Sequence, residues 1–166
     1  MEKIKLKKIT DEHINQFLDS RNLYFNRSKM IRNAKIQRVK HYLWWFDNNR
    51  EIFMLQINNN SKVYIWQQII LFNKKKFFIG GWHSDTKNIN LYYVLWGFKN
   101  LNRINKKQKK NFTWLAVVKN NNNSVLQLTK LLKYKEIKNR NKYFKIIKKI
   151  FNVSNRKFKY LISETT

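Results

Sequence analysis

The sequence contains no cysteine, no proline and only three glycines among its 166 residues. Without cysteine the chain forms neither disulfide bonds nor thiol-based catalytic or metal sites. Without proline, and with few glycines, its tight turns depend on asparagine, which tolerates left-handed backbone conformations. Long apolar runs are also lacking, since none approaches the roughly 18 to 20 residues that a membrane helix needs. The first ten residues have no apolar core of the secretory kind, so we expect a cytoplasmic protein with no membrane span.

Acidic residues are the other scarce class. The chain has nine Asp and Glu residues and 36 Lys and Arg residues, which gives a formal charge of +27. AT-rich codons account for part of the lysine and asparagine excess, but Asp and Glu codons also suit such DNA, so codon bias alone does not explain the charge. A field this positive attracts polyanions, namely nucleic acid, anionic lipid or a phosphorylated ligand. A merely solvated, codon-biased surface is the alternative that composition leaves open.

The apolar periodicity predicts a single α/β domain, and a chain of this length suits one domain. The predicted elements are a strand and two helices in 1–50, a meander of strands in 51–83, a helix in 84–108, and a strand, a helix and a closing strand in 111–164. Residues 143–151 fit either a helix or a strand. Asn-rich turns are predicted at 58–60 and 120–123. This order predicts a mixed β-sheet with helices on both faces.

Short polar side chains mark the predicted helix starts, because they accept hydrogen bonds from unpaired backbone N–H groups. Ser84-Asp85-Thr86 precede the apolar stripe that begins at Leu91, so we expect them to cap that helix. Asn123 or Ser124 is predicted to cap the next helix. Gly80-Gly81 predicts either a β-bulge or a close backbone approach.

Three segments carry a likeness to a known family. In the first, Arg21-Asn22 is followed by Asn26-Arg27 and then by Ile36, His41 and Trp44 in the spacing I-x4-H-x2-W, with His41 and Trp44 on a helix predicted over 37–48. The second, 75–105, combines a strand, a polar loop and an amphipathic helix. The third, 112–134, runs from a strand through four asparagines into a helix. The third segment includes Val117-Val118, Asn122 and Leu132-Lys133-Tyr134.

These segments and their order resemble the GNAT-type acyl-CoA N-acyltransferases over nearly the whole chain. The first is similar to the motif of members that act on amino-sugars and protein N-termini. The resemblance implies acetyl-CoA or another acyl-CoA as cofactor, a small amine as acceptor, and no metal. It places the following residues at the coenzyme: Gly81, Trp82, Ser84, Thr86, Lys87, Val117, Val118 and Asn122. It places the following residues at the acceptor: Arg21, Asn22, His41 and Trp44.

The resemblance also suggests how the reaction is catalysed. A backbone N–H near Gly80–His83, freed where two strands diverge, would bond the thioester oxygen. His83 is the first candidate for a base that removes the amine proton, directly or through water, because imidazole titrates near neutral pH. A surface histidine in a capping bond is the alternative, and Asp85 is an alternative base. Thr129 occupies the place of a tyrosine that protonates the departing thiolate in the family, although a hydroxyl is a far weaker acid.

The chain departs from the family pattern at two further places. Where the family has Arg/Gln-x-x-Gly-x-Gly/Ala before the coenzyme helix, this chain has HSDTKNIN. Amides, the helix dipole, the hydroxyls of Ser84 and Thr86, and the Lys87 charge would then have to hold the pyrophosphate. Lys133 replaces a glycine, so its helix is expected to end in a strained conformation or a different turn.

Two other classes of function compete with the enzyme. A non-catalytic basic protein of the same fold would bind RNA or DNA through its Lys/Arg clusters, 103–110 and 138–149, the second with interleaved aromatic residues. Those clusters lie at predicted helix ends, where cations also favour the helix dipole. A degenerate acyltransferase-like binding protein is the third possibility, since the glycine loop and the tyrosine are both absent.

Overall fold

A computed structural model describes residues 4–47, 49–58, 61–110 and 112–164. The strands are β1 (Ile4–Lys8), β2 (Arg50–Ile57), β3 (Ser61–Phe72), β4 (Lys75–Ser84), β5 (Thr113–Lys119), β6 (Lys135–Glu136) and β7 (Phe158–Ser163). The helices are α1 (Ile14–Asn22), α2 (Tyr24–Arg27), α3 (Arg38–Asp47), α4 (Leu91–Lys107), α5 (Asn123–Leu131) and α6 (Lys142–Phe151), with a 3-10 turn at Asp11–His13 before α1. In the described part of the chain no helix has both the length and the apolar character needed to cross a membrane.

The strands form one seven-stranded sheet in the order β1-β2-β3-β4-β5-β7-β6. The pairs β1–β2, β2–β3, β5–β7 and β6–β7 are antiparallel, whereas β4 and β5 are parallel. Helices flank this sheet. The predicted mixed sheet is therefore confirmed. The short α2 and β6 were not predicted, because four and two residues carry too little periodicity to reveal an element.

The chain divides into two compact units. Unit 1 comprises Met1–Gln68 and Gly81–Gly97, and unit 2 comprises Ile69–Gly80 and Phe98–Thr166. Unit 2 contains 22 of the 36 basic residues and two of the nine acidic ones, a formal charge of +20. Unit 1 contains the other 14 and seven, a charge of +7. The positive charge is thus concentrated in unit 2.

The core of unit 1 joins its strands to its N-terminal helices. Its buried members are Ile9, Phe17, Ile52, Met54 and Tyr64, and Trp44, Trp45 and Trp66 pack against them. In α1, Phe17 and Leu18 are buried while the neighbouring polar positions are largely exposed. Burial of these aromatic side chains is the main stabilising contribution to this unit.

The core of unit 2 explains why the segment 143–151, which the sequence left open between helix and strand, is a helix. This segment lies in α6, whose Ile147 is fully buried beside Phe77, Leu115 and Tyr160. Tyr143, Ile147 and Ile150 recur at helical spacing and pack on this core, while the intervening lysines are exposed.

The parallel strands of unit 2 are paired over a short distance. β4 and β5 pair at Phe77 with Thr113 and at Phe78 with Trp114. Within unit 2, these two strands make no further pairing among the described residues. The part of β4 that belongs to unit 2 nevertheless extends to Gly80, and β5 extends to Lys119. From Trp114 to Lys119, β5 is paired with β7. The divergence expected from the sequence beyond this point agrees with the short register.

Asparagine and lysine, not glycine, supply the left-handed backbone of the turns. Positive φ angles occur at Asn58, Asn73, Lys74, Lys109, Lys133 and Asn152, and at no glycine of the described chain. Asn58 confirms that an asparagine adopts this conformation after β2; Asn59 and Asn60 of the predicted turn lie outside the described residues. Lys133, with φ of 61°, confirms the strained helix end expected from the loss of a glycine.

Candidate active site

His83 lies inside unit 1, near the end of β4, with 1% of its surface exposed. Its Nδ1 is 3.0 Å from the hydroxyl oxygen of Ser20 on α1. Its ring packs against those of Phe17 and Tyr64, at centroid distances of 4.6 and 5.2 Å. Its Nε2 is buried and has no hydrogen-bond partner among the described residues. His83 is therefore not the surface histidine that was the alternative prediction from the sequence.

The electrostatic setting keeps His83 neutral. Burial, and to a smaller extent the charges of Arg21 and His41, lower the pKa of His83 to about 3. A group with so low a pKa is a weak base at neutral pH. Because its side chain is also enclosed, this conformation does not offer it to an amine. The geometry gives His83 a positioning role, through its bond to Ser20.

Asn26 joins two backbone segments of unit 1, a role that was not predicted from the sequence. Its side-chain amide donates to the carbonyl oxygens of Ser20 and Ser84, each at 2.7 Å, and 8% of its surface is exposed. The end of β4 is thus bonded to the end of α1. The available signal was its position in the Arg21–Arg27 segment of the first motif, but its long-range partners leave no trace in the sequence.

Arg21 and Asn22 organise the loop after α2. Asn22 pairs reciprocally with Ile36, since its amide donates to the carbonyl and its side-chain oxygen accepts from the N–H, both at 2.9 Å. Arg21 donates to the carbonyl oxygen of Arg32 at 3.0 Å. Burial and the nearby Arg27 lower the pKa of Arg21. Contact of Arg21 and Asn22 with an acceptor stays a prediction, but both side chains have structural partners.

His41 connects α3 to the start of α1. It is 2% exposed, and its Nε2 donates to the carbonyl oxygen of Ile14 at 3.2 Å. Its ring is stacked with those of Phe17 and Trp44, at centroid distances of 5.9 and 5.3 Å. Burial lowers the pKa of His41, although the bond to Ile14 and the charge of Asp19 oppose this decrease. The geometry favours a role for His41 in ordering these helices.

Trp44 and Arg50 border a small cavity. The Arg50 guanidinium lies 4.4 Å from the ring centroids of both Trp44 and Trp66, and its Nε donates to Gln68 at 3.1 Å. Burial lowers the pKa of Arg50 to about 10. The cavity, of about 190 Å³, is also bordered by Asp11. Sequence reasoning missed Arg50, because an arginine at the start of a strand does not by itself predict a cation between two indole rings.

Gly81 allows Trp66 to approach β4. A Cβ atom at this position would lie 3.1 Å from Nε1 and 3.3 Å from Cε2 of the Trp66 ring. Since no glycine of the described chain has a positive φ, the requirement at Gly81 is space and not backbone conformation. Of the two alternatives predicted for the glycine pair, Gly81 fits the close approach. Trp82, the next residue of β4, is half-buried.

The loop between β4 and α4 is held by bonds within the loop and by bonds to β3. The hydroxyl of Ser84 donates to the carbonyl oxygen of Thr86 at 2.7 Å. The Asp85 carboxylate accepts from the backbone N–H of Lys62 at 2.9 Å and from the Thr86 hydroxyl at 3.1 Å. Lys87 is exposed in this loop. The side chains of Ser84, Asp85 and Thr86 therefore all have hydrogen-bond partners within unit 1.

The cap of α4 is Asn90. Its side-chain oxygen accepts from the backbone N–H of Tyr92 at 2.9 Å. The prediction that Ser84, Asp85 and Thr86 cap this helix is wrong, because α4 begins only at Leu91, too far along the chain for their side chains to serve its first turn.

In unit 2, Asn122 caps α5. Its side-chain oxygen accepts from the N–H of Val125 at 3.4 Å. The prediction that Asn123 or Ser124 is the cap is wrong by one or two positions, since α5 already begins at Asn123. Asn122 is the residue that the sequence placed at the change from strand to helix.

The remaining candidates of unit 2 lie on β5 and α5. Val117 and Val118 pair with Tyr160 and Lys159 of β7, and Val117 also packs on the unit 2 core. Thr129 is 8% exposed, and its hydroxyl donates to the carbonyl oxygen of Leu126 at 2.8 Å. That bond leaves the hydroxyl proton committed to the helix backbone, so the structure adds no support for Thr129 as a proton donor.

Comparisons with known proteins identify the fold. No family model matches the chain, and no curated protein does. Among solved structures, an acetyltransferase of the GNAT family from Streptococcus pneumoniae is 6% identical, with a TM-score of 0.69 over 96% of this chain and 97% of that one. The chain has the GNAT acetyltransferase fold.

Two further GNAT-like structures agree over almost all of both chains. The ribosomal-protein-alanine N-acetyltransferase of Brucella melitensis is 9% identical, with a TM-score of 0.72 over 96% of this chain and 99% of that one. The yncA protein of Salmonella typhimurium, whose structure contains its cofactor acetyl-CoA, is 7% identical, with a TM-score of 0.71 over 98% of this chain and 94% of that one. At such identities the likeness establishes the fold alone.

Proposed function

We propose that this protein is a cytoplasmic acyl-CoA-dependent N-acyltransferase that acetylates a small amine, an amino-sugar or a peptide amine. The observation that carries the proposal is the GNAT fold over the whole chain, together with a parallel β4–β5 pair that is only two residue positions long in unit 2. Strand ends that lack a neighbour offer main-chain N–H groups to a ligand. Such groups stabilise a carbonyl oxygen as charge develops on it.

The residues before α4 fit an anionic cofactor, by a route different from a glycine-rich loop. The first turn of α4 contains no acidic residue, and Lys87 is exposed a few positions before it. A helix N-terminus attracts phosphate through its N–H groups and dipole. Asn90 already occupies the N–H of Tyr92. The N–H of Tyr93 bonds to the carbonyl oxygen of Asn90 at 3.1 Å. We therefore assign the phosphates of the coenzyme to the N–H of Leu91 and to Lys87.

When bound, acyl-CoA supplies an activated acyl thioester. In our proposal, one backbone N–H of β4, that of Gly81 or that of Trp82, donates to the acyl oxygen. The Ser84 hydroxyl orders the loop through its bond to the carbonyl oxygen of Thr86. Contact of Val117 and Val118 with the coenzyme stays a prediction. Asn122 fixes the start of α5 through its cap. Direct contact of Asn122 or Thr129 with the coenzyme stays a prediction.

His83 supports this arrangement without exchanging a proton with the amine. His83 bonds to the hydroxyl of Ser20, and Asn26 bonds to the carbonyl oxygens of Ser20 and Ser84. Together these bonds hold the end of β4 against α1. The amine must then arrive in its neutral form. We expect the transfer rate to rise with pH up to the pKa of the amine itself.

Product analysis tests the proposal. The protein is incubated with acetyl-CoA and a panel of amino-sugars and peptides, and acetylated products are identified by mass spectrometry. With a substrate in hand, Lys87→Ala should raise the KM for acetyl-CoA several-fold and leave kcat nearly unchanged, because it removes a charge that binds phosphate in every state of the reaction. Lys5→Ala, which removes an exposed charge on β1, is the control. An absence of product with every amine, or equal effects of the two variants, would contradict the proposal.

A further inference from the structure

A cavity of about 710 Å³ in unit 2 contains none of the residues assigned above to acyl transfer. Residues of the β6–α6 loop, the start of α6 and β7 border it. Its lining includes three aromatic and three basic side chains: Phe144, Phe158, Tyr160, Lys138, Arg140 and Lys159. A cavity of this size is large enough for a drug-sized ligand.

The aromatic rings of this cavity have different roles. Tyr160 is 2% exposed and its hydroxyl donates to the carbonyl oxygen of Val153, so it belongs to the wall. Phe144 packs on Tyr160 at a centroid distance of 4.9 Å. Phe144 and Phe158 are both only half-buried. Their partly open surfaces are suited to stacking against a flat ring.

The basic side chains of the cavity greatly outnumber the acids that neutralise them. Lys159 is paired with Glu136 at 2.8 Å. Lys138 and Arg140 are exposed, and neither has an ion pair with a carboxylate of the described residues. The segment 138–159 contains nine Lys and Arg and no Asp or Glu. The local field therefore favours an anionic ligand.

The positive charge continues from the cavity along α6. The helix begins at Lys142, and its ten residues span about 15 Å at 1.5 Å per residue. Four exposed lysines follow its outer surface: Lys142, Lys145, Lys148 and Lys149. A row of this length exceeds the single phosphate group of a mononucleotide. It suits a polymer with phosphates at regular intervals.

We infer that this surface of unit 2, formed by the cavity and the lysine row of α6, binds single-stranded nucleic acid. Unpaired bases stack on exposed aromatic rings while a basic groove follows the backbone, which is the general mode of single-strand binding. A duplex keeps its bases stacked on one another and so has none to insert beside Phe144 and Phe158. The inference is independent of the acyltransferase proposal.

The burial of α6 argues against a membrane as the partner. A basic amphipathic helix binds a lipid surface by inserting its apolar side chains. Here Ile147 is fully buried, and Phe144, Ile150 and Phe151 pack on the core of unit 2. Apart from Phe144, which borders the cavity, the exposed residues of α6 are lysines, which contact phosphate groups.

Fluorescence anisotropy tests the inference, with a fluorescein-labelled 12-nucleotide oligouridylate, the full chain and no acyl-CoA. Two variants probe the site: Lys138→Gln/Arg140→Gln removes two surface charges, and Phe158→Leu removes a ring. Lys5→Gln/Lys7→Gln on β1 is the charge-matched control. We expect the charge variant to flatten the slope of log K against log salt by about 1.4, given about 0.7 per lost phosphate contact. We expect Phe158→Leu to weaken binding roughly tenfold.

Each possible result decides the inference. Loss of affinity in both site variants, with the control unchanged, supports it. Equal losses in the site and control pairs would show diffuse electrostatic attraction and overturn it. Displacement of the oligonucleotide by uridine monophosphate at equal nucleotide concentration, tighter binding of the matching duplex, or binding of phosphatidylserine vesicles in place of RNA would overturn it as well. Because Phe158 packs on the core, its variant is interpreted only with an unchanged melting temperature; otherwise the charge pair alone decides the outcome.

Discussion

His83 makes the stability of unit 1 depend on pH. Its pKa in the folded chain is about 3, below the ordinary value near 6.5 of an unfolded histidine. Between these values the unfolded chain binds more protons, so folding stability increases with pH across this window. The contribution is fully present above about pH 6.5 and is lost as the pH falls toward 3.

Replacing this residue tests the linkage. We expect His83→Gln, which has a similar shape and does not titrate, to flatten the dependence of the unfolding free energy on pH between 6.5 and 4. Urea unfolding of both proteins at a series of pH values measures this. His41 stays in both proteins, so its own lowered pKa cancels from the comparison. Parallel curves for the two proteins would show that His83 titrates normally.

Gly97 lies against Ile65, and this contact determines how a substitution of Gly97 changes the stability of the protein. A Cβ atom at this position of α4 would overlap Cδ1 of Ile65, which is fully buried in unit 1. Alanine favours a helix by about 1 kcal/mol over glycine, but overpacking of a core costs about 1 to 3 kcal/mol. We therefore expect Gly97→Ala alone to be destabilising.

The same substitution should behave differently when the overlapping atom is removed. In an Ile65→Val background, which lacks Cδ1, Gly97→Ala is expected to be neutral or stabilising. A double-mutant cycle of unfolding free energies measures the coupling between the two positions. Additive effects would mean that Ile65 turns away without cost.

Among the elements, α5 depends on its cap. Asn122 accepts from the N–H of Val125, and N-cap residues contribute about 0.5 to 2 kcal/mol relative to alanine. The sequence suggested Asn122 mainly as a ligand contact, but the cap predicts that Asn122→Ala lowers the melting temperature. Asn122→Asp should retain the cap and stability. Equal melting temperatures for Asn122→Ala and the parent protein would show that the cap is dispensable.

Long periodic elements were predictable, because each carries its pattern within its own residues. The helix expected to end near Lys107 is α4, the helix of 37–48 is α3, and the closing strand is β7. Residues 143–151 were ambiguous, since their apolar residues fit either period until the unit 2 core selects the helix. The strained end at Lys133 followed from a missing glycine in the family pattern.

The candidate site was less predictable, because its partners are distant in sequence. Ser20 and His83 are 63 positions apart, and Asn26 and Ser84 are 58 apart. No periodic pattern encodes such bonds. The surface position, which was the alternative considered for His83, is wrong for this reason: the packing of Phe17 and Tyr64 encloses its ring.

Across the chain as a whole, the fold and the positive charge favour different ligands. In our proposals, the end of β4 and the start of α4 bind acyl-CoA, while unit 2, with its charge of +20, binds a much larger polyanion. Coenzyme A is itself an anion, so a protein this basic attracts it without any specific site. A test of coenzyme binding must therefore separate recognition from general attraction, by comparison with another nucleotide of similar charge.

The melting temperature with acetyl-CoA, measured beside that with ATP at about 0.15 M salt, makes this separation. Acetyl-CoA at about 100 times its Kd should stabilise the chain by roughly 2.7 kcal/mol. ATP at the same concentration should stabilise it much less, and Lys87→Ala should reduce the acetyl-CoA effect. An unchanged melting temperature with acetyl-CoA, or equal increases with both nucleotides, would contradict an acyl-CoA site built on the end of β4 and the start of α4.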